Sequence, residues 1–457
     1  MPVPPSTDPP LESFGPIKSL SELPIDKIRG SCPWTVSTPP LTDLRKQCSP
    51  LVFGGGVFGL GMYNPDNHLY SDEAVRALRL AFQYGINTLD SSPYYFPSEF
   101  VLGRALRILA PEFPRESYMI ITKCGRYGPQ RSMFDYSPER VEASIRQSCS
   151  RLGVSYLDGA LLHDAEFVSD QPEQNVEDAG FLPAQAIGAP CAAKTNRTPE
   201  EAQKLLGISP EDAATIRGPG DEKVLAAVRK LFELKDQGLV RNVGISGYPL
   251  PELLRIVRLV ASNPPFRPLD IVLSYSNNTV HSKLLPMYRA MFESPVGGDH
   301  WVSPLLLNAS PFSMGLFSDR GAPNWHPADK DLVAATRLAH QKLKADALAN
   351  PVSGIDPNMV LAQMAMFSGI QGSGKSGDAQ NMHTLVGMSN VDEVHAAISV
   401  FRVLSAKDNC SYPGDPDQGE GAATLYNTLE RYAKIARAEM EAAGVNELCW
   451  QSPPQDA

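Results

Sequence analysis

The chain has 457 residues with 41 Lys and Arg against 51 Asp and Glu, a net charge of -10, and no basic cluster of the kind that grips nucleic-acid phosphates. Neither a signal-peptide core nor a run apolar enough to cross a bilayer is visible, so a cytosolic protein with a small-molecule partner and no membrane or nucleic-acid contact is expected. Seven scattered cysteines lack paired or metal-ligand spacing, which argues against a disulfide framework or a bound metal.

Residues 1–47 are proline-rich and aperiodic, which favours extended or loosely packed chain over a separate module. From residue 48 to about 404, short β-rich runs alternate with helical patterns: LVFGGG, then helix DEAVRALRLAFQYG; INTLD, then FVLGRALRIL; YMIITK, then PERVEASIRQSCSRLG; LDGALLH, then EKVLAAVRKLFELKDQG. The rhythm continues through VRNVGIS, PELLRIVRLVAS, DIVLSYS, a helix near 280–293, PLLLNAS, DLVAATRLAHQKLKADAL, HTLVGM and VDEVHAAISVFRVL. About eight strand–helix units predict a single α/β domain, a closed (β/α)8 TIM barrel. Residues 165–220 interrupt the rhythm after the fourth strand, where an insertion falls on the rim that builds barrel active sites, and residues 405–457 form a C-terminal extension.

Two motifs fail on context. GGGVFG (54–59) satisfies G-x-G-x-x-G, but LGMYNPDN follows where a helix would have to start; a glycine turn that lets a ligand approach is the better reading. GIQGSGKS (369–376) satisfies the phosphate-loop pattern with helix and strand in reversed order, so a flexible connection is preferred over a nucleotidase centred on Lys375.

The chemistry lies at three successive strand ends. Asp90 closes the second strand, Lys123 the third and His163 the fourth, with Tyr95 in the loop between the first two. Singly, each has a structural reading: a turn cap, a solvated charge, an interior histidine, a packed ring. Together at one mouth they suit proton transfer coupled to hydride transfer: Tyr95 as acid or base, Lys123 stabilising its phenolate, Asp90 holding the ammonium, and His163 orienting the substrate oxygen.

NTLDSSPYY, MIITK and LLHDAEF resemble the three segments that carry the Asp, Tyr, Lys and His tetrad of the aldo-keto reductases, over about residues 50–404. LLHDAEF, NASPFSMGLFSDRGAPNWHP and TLVGMSN look closest to the branch of fungal D-arabinose 1-dehydrogenase and plant L-galactose dehydrogenase, which implies oxidation of an aldose at C1 to a lactone. The resemblance implies a nicotinamide cofactor held by Gly55, Gly56, Ser246, Ser274, Ser310, Met314, Gly315, Leu316, Gly387 and Ser389, with a hydroxyl and backbone amides of the 310–316 stretch on the pyrophosphate. The family's Asn after the serine is Gly247 here, its sixth-strand Gln is Leu273, and its stacking aromatic is Ala309. Asp392 and Glu393 stand where cations would grip a 2′-phosphate, which favours NAD over NADP. The rival readings are an NADPH-dependent carbonyl reductase and a non-catalytic cofactor-binding barrel serving as sensor or interaction subunit.

Overall fold

Eight short aliphatic runs form parallel strands: β1 (Leu51–Gly54), β2 (Thr88–Asp90), β3 (Met119–Cys124), β4 (Gly159–Leu162), β5 (Val243–Gly247), β6 (Ile271–Tyr275), β7 (Leu305–Ala309) and β8 (Met382–Gly387). They pair in chain order, and β8 pairs back onto β1 with Val386 opposite Phe53, so the sheet closes without an edge. The structure, a computed structural model, describes residues 8–173, 176–296, 301–371, 382–407 and 420–450. Helices follow each strand: Glu73–Gln83, Ser98–Leu109, Pro138–Leu152, Pro219–Asp236, Leu250–Ser262, Leu284–Glu293, then Lys330–Ala349 with Val360–Ile370, and Val391–Lys407. This is the (β/α)8 barrel that the alternation predicts.

Because side chains alternate along a strand, each strand divides its residues between two cores. Val52, Met119, Ile121, Leu161, Ile271, Leu273, Leu305, Leu307 and Ala309 fill the barrel interior. Phe53, Leu89, Ile120, Leu162, Val243, Ile245, Val272, Leu306 and Val386 face the helices. Leu41 and Leu44 join the interior cluster from below, on the chain just before β1 and on the short helix Leu44–Gln47. Asp43 caps that helix by accepting from the amides of Arg45 and Lys46.

The N-terminal extension is more firmly attached than its composition implies. Phe14 stacks on Phe100 with ring centroids 4.7 Å apart, Arg151 pairs with Asp8 at 2.5 Å, and Trp34 is buried edge-on against Phe401 at 5.0 Å. Proline fixes backbone direction without forming elements, and the apolar side chains between the prolines do the anchoring. The insertion after β4 is pinched at its base, where the Asp170 carboxylate accepts from the amides of Gly220 and Asp221 at 2.6 and 3.1 Å. It carries the short helix Pro199–Leu206, closed by a capping box between Thr198 and Glu201.

The C-terminal extension holds a long helix, Glu420–Ala442, that packs on Lys330–Ala349 and Val360–Ile370 through Tyr432, Ala436 and Met440. GGGVFG itself forms the 3-10 turn Gly55–Phe58, and no helix starts where it ends: the next is the single turn Asp66–Leu69, so the dinucleotide fingerprint lacks its helix. Of the phosphate-loop pattern, Gly369 and Ile370 end a helix, while residues 372–376 lie outside the described residues. Among the described residues no helix is long and apolar enough to cross a membrane.

Trp34→Ala tests the anchoring of the extension. It empties a buried site and removes the bond from Trp34 Nε1 to Gly85 O at 3.2 Å. A loss of about 3–5 kcal/mol is expected in urea unfolding; an unchanged midpoint would show that residues 8–47 are not part of the cooperative fold.

Candidate active site

Strand parity assembles the site. Asp90 shares the inward parity of Thr88, Lys123 that of Met119 and Ile121, and His163 that of Leu161, so all three emerge at the C-terminal mouth above the interior cluster. Lys123 Nζ donates to Asp90 Oδ1 at 2.6 Å and to Ser91 O at 3.1 Å, and both partners of this ion pair are buried. Thr122, one residue earlier and facing outward, donates to Glu99, which in turn pairs with Arg151. The strand bearing Lys123 is therefore tied on both faces.

Tyr95 arrives by a different route. Ser92 caps the 3-10 turn Pro93–Tyr95 by accepting from the Tyr94 amide, with Pro93 in the first helical position. The turn swings the phenol over the mouth, where Tyr95 Oη lies 3.4 Å from His163 Nε2 and Lys123 Nζ sits 4.8 Å from the ring centroid. Gly56 lies opposite, where an added Cβ would reach to 3.6 Å of the Tyr95 ring.

Ser92 also contacts His163 Nδ1 at 2.9 Å. Ser92 Oγ accepts from the Tyr94 amide and can give its own proton to Nδ1, an arrangement in which the imidazole proton lies on Nε2, facing Tyr95. Burial, and then the cations Lys123 and Arg126, depress the His163 pKa well below 6.5, so the ring is a neutral donor. Asp90 is pushed up by burial and drawn back by Lys123. The phenol departs from expectation: burial, followed by Asp90 and Asp164, raises Tyr95 well above 10, and Lys123 lies over the ring rather than beside the oxygen. In this state Tyr95 is a protonated donor.

The residues expected to hold a cofactor divide into groups. Ser246 faces inward on β5, with its hydroxyl donating to Leu162 O at 3.3 Å. Ser274 requires correction: it shares the outward parity of Val272, and its oxygen accepts from Asn277 Nδ2 at 2.9 Å, so it braces the β6 loop instead of lining the mouth. Asn277 is likewise committed to Tyr248 O at 2.6 Å. After β7, Ser310, Ser313, Met314 and Gly315 all have left-handed backbones, a turn type in which successive amides can converge on an anion. Here the Met314 amide donates to Ser310 Oγ at 2.7 Å and the Leu316 amide to Ser313 O at 3.1 Å, so both are spent within the loop. Ser313 Oγ is buried without a partner, a donor that a bound polar group would satisfy, and on that observation the loop fits a phosphate-bearing cofactor. The loop reaches across to the loop after β1, where Arg320 donates to Tyr63 O and Trp325 meets Tyr63 edge-on.

Gly55 and Gly387 are required by packing. An added Cβ would overlap Asp90 O and Ser98 Oγ in the first case, and Val57 in the second. Ser389 gives both its amide and its hydroxyl to Glu393 Oε2, at 2.6 and 2.9 Å.

The family model that matches residues 50–411 is that of the aldo/keto reductase family. The chain belongs to the aldo/keto reductase family. It is 28% identical over 368 residues to D-arabinose 1-dehydrogenase of Saccharomyces cerevisiae, covering 79% of this chain and 85% of the relative. It is 30% identical over 333 residues to L-galactose dehydrogenase of Arabidopsis thaliana, covering 71% and 82%. Among solved structures, a glycerol dehydrogenase from Gluconobacter oxydans aligns at 17% identity with a TM-score of 0.45, covering 88% of this chain and 96% of the other. The protein is an NAD(P)-dependent oxidoreductase.

Two departures of this aldo-keto reductase from its family's pattern sit in defined surroundings. At Gly247 an added Cβ would overlap the carboxyl of buried Glu166, whose Oε1 accepts from the Tyr248 amide at 2.9 Å, so an asparagine here would require that carboxyl to move. Burial and the neighbouring Asp164 push Glu166 up to about 8. Ala309, at the place of the stacking aromatic, is in register with Tyr275, so an inward-facing aromatic stands one strand away.

Ser92 escaped sequence reasoning, although Ser before Pro is a helix-start signature. Ser92→Ala removes the group that orients His163, and turnover is expected to fall roughly fivefold, in line with about 1 kcal/mol for one hydrogen bond. Ser92→Thr should restore it. Unchanged steady-state turnover in the alanine variant would remove Ser92 from the site.

Proposed function

We propose that the protein is an NAD-linked dehydrogenase that oxidises an aldose at C1 to its lactone. The observation that carries the reading is the convergence of Tyr95 Oη and His163 Nε2, 3.4 Å apart, beside the buried Lys123–Asp90 pair at one barrel mouth. The similarity to D-arabinose 1-dehydrogenase and L-galactose dehydrogenase supports the substrate class. A nicotinamide bound against this mouth would supply the hydride acceptor. Inward-facing Ser246, the loop 310–316 and the aromatic Tyr275 would hold it, Tyr275 taking the part left vacant by Ala309.

His163 donates its Nε2 proton as a hydrogen bond to the sugar oxygen and fixes that oxygen beside Tyr95. Tyr95 takes the hydroxyl proton once its own phenol has ionised, and the Lys123 ammonium under the ring favours the anion. NAD is preferred over NADP because Glu393 occupies the start of helix Val391–Lys407 and Asp392 stands beside it, so an added phosphate would meet two carboxylates.

The protonated Tyr95 favours a second reading, an aldo-keto reductase working mainly in the reductive direction. The pH profile distinguishes the two. A phenol raised above 10 is fully protonated through neutral pH, so reduction of a carbonyl should hold constant there and fall only in alkali, whereas sugar oxidation should rise steadily with pH. Because the His163 pKa is depressed, neither profile should inflect near 6.5. An inflection there would place a protonated imidazole in the cycle.

Tyr95→Phe tests the assignment itself. Turnover of D-arabinose or L-galactose, followed as NADH formation, should drop by roughly 10²-fold to 10⁴-fold with KM little changed. Near-normal turnover would exclude Tyr95 as the proton-transfer group. A parallel titration showing tighter NADPH than NADH binding would reverse the cofactor assignment.

A further inference from the structure

Directly behind the tetrad lies an ion pair that the proton-transfer chemistry does not use. Asp164 follows His163 at the end of β4. Ordinary strand alternation would turn it away from the mouth, but its backbone is left-handed, at φ 53°, and this returns the carboxylate to the inner side. Its Oδ2 ends 3.7 Å from His163 Nε2, the nitrogen that also faces Tyr95 Oη. Non-glycine residues in this conformation are uncommon, and their presence beside a reactive group is a sign of function.

The partner of Asp164 is Arg126, two residues past the end of β3. Its guanidinium pairs with Asp164 Oδ2 through Nη1, donates from Nη2 to Tyr94 Oη at 2.9 Å and from Nε to Gly128 O at 3.2 Å. It lies 3.9 Å from the Tyr94 ring centroid and beside the stacked rings of Phe134 and Phe167, at 5.2 and 5.3 Å from their centroids. A cation so confined is immobile, and it fixes the carboxylate in turn. Burial raises the Asp164 pKa, and the guanidinium draws it part of the way back.

We propose that the Arg126–Asp164 pair is the specificity element of this site, with the Asp164 carboxylate accepting a hydrogen bond from the hydroxyl on the substrate carbon next to the reacting one. The inference rests on the oxidoreductase reading above. A carboxylate has about four acceptor sites, so one guanidinium contact leaves capacity for a donor. The pair as a whole is neutral: a cationic substrate would meet Arg126 and an anionic one Asp164, whereas a neutral hydroxyl meets an anchored acceptor. Its position, one nitrogen away from the reacting oxygen's own donor, suits two oxygens on adjacent carbons. The ligand class is therefore a neutral α-hydroxy carbonyl or its cyclic hemiacetal, as in an aldose.

The experiment compares D-arabinose with 2-deoxy-D-ribose, which is D-arabinose lacking the C2 hydroxyl, on the purified full chain and on Asp164→Asn and Arg126→Lys. The readout is the ratio of kcat/KM between the two sugars. In the parent protein D-arabinose should be preferred. In Asp164→Asn the ratio should fall about 10-fold to 100-fold, the range for a hydrogen bond to a charged group. Arg126→Lys keeps the charge but loses the fork, and should give an intermediate ratio; it also covers the case in which the asparagine variant does not fold. Equal losses on both sugars, leaving the ratio unchanged, would overturn the inference and make the pair purely structural. Turnover of 4-nitrobenzaldehyde by the parent protein separates the two levels: if it is reduced while the sugar ratio stays fixed, the specificity element fails and the oxidoreductase reading stands. Absence of turnover on every substrate overturns both.

Discussion

The buried contact between Lys123 and Asp90 constrains everything around it. Two charges at the top of an apolar barrel have lost their water, and the pair persists only because geometry is tight and Ser91 O supplies a further acceptor. Replacing such a pair with packed aliphatics would often be neutral for stability, so its retention at the mouth has to be read through what it does for its neighbours. The ammonium lies under the Tyr95 ring, and the same cation, with burial, keeps His163 neutral. The pair therefore bears on both groups at the mouth: Lys123 adds to the burial that keeps His163 neutral, and Asp90 adds to the burial that keeps Tyr95 protonated.

Around this centre, chain outside the barrel repeat completes the rim. The loop after β7 is fastened to the loop after β1 by Arg320, and the end of the C-terminal extension brings Trp450 flat onto Tyr248 at 4.1 Å and edge-on to His326. Glu447 holds that end in place, accepting from the Lys283 amide and pairing with Arg437. A mouth walled by segments from four loops can change its lining without disturbing the strands, which is why barrels separate stability at one face from specificity at the other.

The parts of this molecule that obey a period were legible in its sequence. TLD, IITK and LLH reveal by alternation alone that Asp90, Lys123 and His163 face one way, and strand and helix patterns give the barrel. What escaped depends on single backbone conformations or on direction. Ser274 reads as a rim hydroxyl until parity is applied strictly, which turns it outward with Val272. Asp164 would be assigned outward by the same rule, and only its left-handed φ reverses that. The amide of Met314 looks available for an anion until the neighbouring Ser310 hydroxyl is seen to take it. The helix Glu420–Ala442 was a missed signal: Leu429, Tyr432, Ala436 and Met440 are spaced for one buried face, obscured by the polar segment before them.

The departures from the family pattern show how a site tolerates losing parts. An asparagine on β5 is gone, and the space its side chain would need is taken by the Glu166 carboxyl, raised to about 8 and therefore largely uncharged at neutral pH. An ionised Glu166 would stand close to Asp164, repel it, and weaken its hold on Arg126; a neutral one leaves that ion pair intact. The glycine at 247, the buried glutamic acid and the left-handed aspartate thus pack as one unit at the ends of β4 and β5. The direction of chemistry then depends on the charge placed over the phenol. Burial, with Asp90 and Asp164 beside it, holds Tyr95 protonated and ready to donate, while a cation brought against the oxygen would make the phenolate accessible. A single arrangement of side chains serves either direction, and the charge brought against it decides which.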